Sequence, residues 1–222
     1  MHHGAMPQWT RACGPLLAAL LLAAPALGGE GELVLPDSRR GFQVAPLLLL
    51  SRPDVRADLQ LTANQVAAAR HAIVELTSQA RKLEEHAHAA VQKGQSDAAF
   101  AKARREIDKA QEQWLAENLS AEQRQRLEQI DLRWQGPTAL ITRPSLAGLL
   151  GLTSEQIQLL KQEGERRRAL LLQQKWRPED ERQLAQKALA VLTPEQKSRW
   201  EELLGPPITF QTVSAKPATP RR

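Results

Sequence analysis

Four copies of one short pattern, Leu-Thr/Ser-x-x-Gln, punctuate this chain: Leu61-Thr62-Ala63-Asn64-Gln65, Leu119-Ser120-Ala121-Glu122-Gln123, Leu152-Thr153-Ser154-Glu155-Gln156 and Leu192-Thr193-Pro194-Glu195-Gln196. A helix start leaves backbone N–H groups without partners, and this spacing repairs two of them. The hydroxyl accepts from the backbone of the Gln three residues on, and the Gln side chain reaches back to the cap. Each copy therefore predicts where a helix begins, with Pro194 at the first helical position, where its missing N–H costs nothing. At about 1 kcal/mol per cap, the twelve residues Leu61, Thr62, Gln65, Leu119, Ser120, Gln123, Leu152, Thr153, Gln156, Leu192, Thr193 and Gln196 read first as structural.

The copies fall into pairs. The first and third follow Arg-Pro, at Arg52-Pro53 and Arg143-Pro144, while the second and fourth run through alternating charges to a glycine, Gly136 and Gly205. This divides the chain into an N-terminal linker at 29–51, a first unit at 52–136, a linker at 137–142 and a second unit at 143–205. From the first cap, apolar residues recur at Val66, Ala69, Ile73, Leu76, Ala80, Leu83, Ala87 and Ala90, a three-four alternation typical of a coiled-coil seam. The pattern stops near Gly94 and resumes at Phe100, Ala103, Ile107, Ala110 and Trp114, which predicts an antiparallel hairpin. Because alanine buries little area, this hairpin needs a further surface to pack on. The second unit has shorter arms: 58 residues separate Leu61 from Leu119, but 40 separate Leu152 from Leu192. Its tip is expected near Trp176, with a second helix starting at Pro178. The fold class expected is all-α, two divergent antiparallel helical-hairpin units with a coiled-coil-like seam in the first.

The N-terminus points to export. Arg11 precedes an uncharged run, GPLLAALLLAAPALGG, that ends in small residues, so residues 1–28 read as a signal peptide cleaved near Ala26 or Gly28. The run is shorter than the roughly 20 residues needed to cross a bilayer. A periplasmic or extracellular protein follows, with Cys13 leaving in the signal. The pI near 9.7 suggests nucleic acid until the charge is located. Arg11 and three tail cations, Lys216, Arg221 and Arg222, lie in segments without acids. The body between them holds nearly balanced charge, whereas nucleic-acid binding needs a concentrated basic face. Residues 206–222 read as a disordered basic tail.

Sharper chemistry finds little footing. The mature chain would lack cysteine, there is no tyrosine and no Gly-rich phosphate loop, and carboxylates are interleaved with Lys and Arg, so no catalytic residue and no cofactor is expected. A metal site is the alternative, resting on His71, Glu75 and His86, with His88 nearby. His86 and His88 point about 200° apart around a 3.6-residue turn. One helix thus offers at most half of a zinc site, which wants three or four converging ligands. Trp176, flanked by Lys175 and Arg177 at a hairpin tip, is the candidate contact for a protein client.

The motifs LTANQ at 61–65, LTSEQ at 152–156 and LTPEQ at 192–196, with the signal peptide and helical patterning, resemble the LTxxQ family of bacterial envelope proteins, the Spy/CpxP-like periplasmic chaperones and regulators, which include zinc-binding relatives. The resemblance spans roughly residues 52–205. It implies a cysteine-poor helical protein that holds nonnative or partner proteins without ATP. Two departures stand out: the copy at 119–123 is LSAEQ, and one chain carries two motif pairs. That duplication raises an intrachain pseudo-dimer beside a homodimer. The function expected is a non-enzymatic, ATP-independent chaperone-like or envelope-stress protein; the alternatives are a zinc-type sensor and a scaffold for one dedicated partner.

Overall fold

The computed structural model describes Leu35 and residues 44–92, 98–173 and 175–212, and among these residues there is helix but no strand. The expected signal peptide, most of the expected N-terminal linker, the expected first hairpin tip around Gly94 and the tail beyond residue 212 lie outside the described residues. In chain order come α1 (Pro46–Leu49), α2 (Pro53–Asp58), α3 (Ala63–Gln92), α4 (Ala98–Asn118), α5 (Ala121–Gln135), a 3-10 turn (Gly136–Thr138), α6 (Ala139–Thr142), α7 (Leu146–Leu150), α8 (Ser154–Leu172), α9 (Pro178–Ala190) and α10 (Pro194–Leu204). The four motifs open α3, α5, α8 and α10.

All four capping boxes form. Gln65, Gln123, Gln156 and Gln196 each donate a backbone N–H to the hydroxyl of Thr62, Ser120, Thr153 or Thr193 at 3.2–3.3 Å. Each Gln Oε1 accepts the cap's backbone N–H at 2.9–3.0 Å. The exposed acids in the first turns of α5 and α8 gain as well. A hydrogen bond from Ser120 lowers the Glu122 carboxyl, and one from Thr153 lowers Glu155.

Helix α3 packs along α4, and the start of α3 is bonded to the end of α4, so the two run antiparallel. Of the seam positions, Ala69, Ile73 and Leu83 are buried, while Val66, Leu76 and Ala80 remain partly exposed. The surface that this alanine-rich seam lacks comes from the rest of the chain. Leu47, Leu49, Leu50, Val55, Leu127, Ile130 and Trp134 close over the root of the hairpin, each such side chain worth roughly 1.5–3 kcal/mol when fully buried. Gln111 of α4 ties α1 in place by accepting the Leu47 N–H at 3.1 Å.

Three boundaries read from the sequence need correction. Residues 44–51 are not linker: Leu47, Leu49 and Leu50 are among the most buried side chains of the first core. Residues 206–212 are not a loose tail either, because Phe210 is buried and Ile208 packs against the same core. In each interval a few apolar residues decide the outcome: Leu47, Leu49 and Leu50 in the first, Ile208 and Phe210 in the second. The supposed spacer at 137–142 is core as well. Ala139 and Leu140 are buried in the second cluster with Leu132, Leu146, Leu150, Leu160, Ala188, Leu192, Trp200 and Leu204.

That segment also reshapes the second unit. Helix α8 packs against α6, α9 against the 136–138 turn, and α10 against α5 and α7. The segment 136–142 thus inserts between the arms instead of bridging two finished units. Gly164 makes room for it: a Cβ there would sit 2.9 Å from Ile141 Cγ2, so the glycine in mid-helix serves close approach. Across the arms, Lys187 reaches Glu163 at 2.6 Å.

The helix ends repeat with the motifs. Gly136 closes α5 at φ 59, ψ −156 and Gly205 closes α10 at φ 63, ψ −162, a region essentially reserved for glycine. The residue just before the first and third motifs is left-handed in both units: Gln60 at φ 51 and Gly151 at φ 62.

Candidate functional site

The motif glutamines do more than cap. Gln65 Nε2 donates to Gln123 Oε1 at 2.9 Å and Gln123 Nε2 returns a bond to Gln65 Oε1 at 3.4 Å. In the second unit Gln156 and Gln196 pair the same way at 2.7 and 3.0 Å. The remaining amide hydrogens go to main-chain carbonyls just ahead of the partner motif. Gln65 bonds Asn118 O at 2.8 Å, Gln123 bonds Leu59 O at 3.1 Å, Gln156 bonds Val191 O at 2.7 Å and Gln196 bonds Gly151 O at 3.0 Å. Each Gln therefore caps its own helix and clasps the opposing one. A capping box tolerates Glu at this position; the clasp does not, because a carboxylate has no hydrogen to give. This is a physical reason for Gln in all four copies.

Trp176 lies where the sequence placed it, between α8 and α9, but it is held in position. Its indole N–H donates to Glu181 at 3.1 Å, and the Arg167 guanidinium lies 5.4 Å from the ring centroid. Glu181 also accepts from Thr138 Oγ1 at 2.7 Å, so the ring is fastened to the inserted segment. Trp176 and Arg167, with Leu170, Leu184 and Lys187, line a shallow groove. The half-buried Trp176 presents one side there, and Lys175 and Arg177 are exposed beside it.

The three residues of the metal alternative do not come together. His71, Glu75 and His86 are all exposed along α3, and Glu75 accepts from Gln79 at 3.1 Å. His71 and His86 stand fifteen residues apart, about 22 Å at 1.5 Å per residue, so one ion cannot take both from one chain. No group of three potential ligands gathers among the described residues.

Sequence reasoning missed a site built on the two Arg-Pro pairs. Both arginines anchor on α5. Arg143 pairs with the buried Asp131 and donates to Gln135 Oε1 at 3.0 Å. Burial pushes the Asp131 carboxyl up, and the Arg143 charge opposes it. Arg52, wholly buried, lies 5.2 Å from the Trp134 ring and 5.4 Å from the Phe210 ring. It binds Asp54 with two nitrogens, at 3.0 and 2.6 Å, and donates to the carbonyls of Leu35 at 2.5 Å and Gln211 at 2.7 Å. Burial raises the Asp54 carboxyl, but Arg52 and the backbone N–H groups of Gln211 and Val55 outweigh it and leave the carboxyl below its ordinary value. One signal could have revealed the pair: Arg52 and Arg143 stand at the same nine-residue offset before Leu61 and Leu152.

No family model matches the chain, and neither a curated protein nor a solved structure does so.

Proposed function

We propose that this chain is an exported, non-enzymatic helical protein that binds nonnative or partner proteins without ATP, in the manner of the LTxxQ envelope proteins it resembles. The observation that carries the reading is the joint itself. Two hairpin roots, each fastened by a reciprocal glutamine pair drawn from two motif copies, show those residues acting as one structural device. Such joints leave helix flanks available for binding. Val74 on α3, Leu149 on α7 and Leu159 on α8 expose half or more of their surface, and Lys175 and Arg177 flank Trp176. Exposed apolar side chains and a tryptophan flanked by cations suit unfolded chain, which presents apolar side chains and unpaired carbonyls. In this reading the signal peptide at 1–28 directs export, and the paired units act as a pseudo-dimer within one polypeptide.

The test uses the purified chain from residue 29 and several unrelated proteins, each in folded and in permanently unfolded form. Complexes by size exclusion with the unfolded forms of several clients are the expected result. Complexes with none would leave a dedicated partner as the reading.

A further inference from the structure

The first unit carries a second feature, separate from the glutamine joints and from Trp176. Residues 206–212 leave α10 without regular structure and cross the first core as an irregular segment. Two contacts grip the backbone of one residue. Gln211 N–H donates to Asp54 Oδ2 at 2.6 Å, and Gln211 O accepts from Arg52 Nη2 at 2.7 Å. Neither bond reads the Gln211 side chain, which is exposed. The preceding ring does the selecting. Phe210 stands edge-on to Trp134, with centroids 5.2 Å apart at 80°, and is 8 % exposed. Ile208 packs against the same cluster, and Arg126 holds Pro206 O at 2.9 Å.

A carboxylate that takes one backbone N–H, a guanidinium that takes the neighbouring carbonyl and an aromatic wall beside them form a receptor for an extended segment bearing an aromatic residue. We propose that the Arg52–Asp54–Trp134 groove is a binding site for extended, aromatic-bearing segments of nonnative protein, and that residues 206–212 occupy it in cis as a resident pseudo-ligand. The inference rests on the client-binding function proposed above and names the chemistry that such a client presents. A tethered occupant acts at an effective concentration in the millimolar range. The closed chain therefore rejects weak ligands and admits only a client whose local concentration or affinity exceeds that of the tail.

The test is a fluorescence-anisotropy titration with a labelled peptide of residues 206–212, PPITFQT. The full chain carrying Phe210→Ala and Gln211→Pro loses the ring and the N–H that seat the tail, while its groove residues are untouched. The peptide is expected to bind this opened chain at least tenfold more tightly than the wild-type chain. Peptides with Ala in place of Phe210, or Pro in place of Gln211, are expected to lose that binding. Equal, negligible binding by both chains would overturn the proposal. A second measurement needs no variant. In the wild-type chain the Gln211 amide should exchange with solvent by local opening at least a hundredfold faster than the Ile130 amide of α5. Equal protection would mean that the segment opens only when the core unfolds, and the site would fall. Unfolded-client complexes without peptide binding reject this groove alone; peptide binding without such complexes keeps the groove and rejects the general client reading.

Discussion

The side-chain amide of Gln65 uses its whole hydrogen-bonding capacity. Its oxygen accepts from Thr62 N and Gln123 Nε2, and its nitrogen donates to Asn118 O and Gln123 Oε1. Gln65→Glu keeps the cap and removes both donated bonds, leaving two partly buried acceptors facing a carboxylate. A loss of about 2 kcal/mol in urea unfolding at pH 7 is expected. The deficit should shrink as pH falls, because the protonated acid can donate again and its pKa is raised in the folded state by the facing oxygens. Stability equal to wild type at pH 7 would show that capping alone explains the motif. Asp54 behaves with the opposite sign. Its folded carboxyl lies below the ordinary value, so its contribution is complete above about pH 3.9 and is lost as pH falls through the lowered value. Asp54→Asn is expected to flatten the acid limb of the stability profile below pH 4 and to lower stability at neutral pH. The twelve motif residues were legible because capping is local. The clasp was not, since it depends on which two motifs face each other, and neither was the Arg52 site, whose partners at 35, 134 and 210–211 are distant in the sequence.

Helix starts were the readable part of each element, and helix ends less so. The sequence placed Gly136 and Gly205 at the closing of the second and fourth motif helices, where both adopt the glycine-only conformation. The left-handed turn ahead of the first and third motifs carried a signal in one unit alone: glycine at 151, but glutamine at 60. A non-glycine residue there costs roughly 1 kcal/mol. Gln60→Gly, at an exposed position, is therefore expected to raise the first unit's stability by about 0.5–1 kcal/mol, read as a higher melting temperature by circular dichroism. A lower melting temperature would mean that the Gln60 side chain makes contacts that outweigh the strain. The weak elements, α1 and α6, escaped periodicity altogether. Each is a single turn of four residues, too short to show an alternation, and each is held by the core it enters.

Across the molecule the two units are not separable, because α5 serves both. Leu127, Ile130 and Trp134 face the first core and Leu132 the second, and Arg133 donates to the Leu204 carbonyl at 3.0 Å. Chain division read from the paired motifs and their flanks treated 137–142 as a spacer, whereas Ala139 and Leu140 are buried. Fragments 52–136 and 143–205 are thus expected to lack cooperative unfolding when made alone, the second for want of Leu132, Ala139 and Leu140. A sharp thermal transition in either fragment would contradict the shared core. The central functional claim concerns the whole chain, and light scattering of an unrelated denaturing protein tests it most directly, with the chain from residue 29 present or absent and no ATP. Suppression of scattering at near-equimolar ratio is expected; undiminished scattering at several-fold excess would contradict client binding.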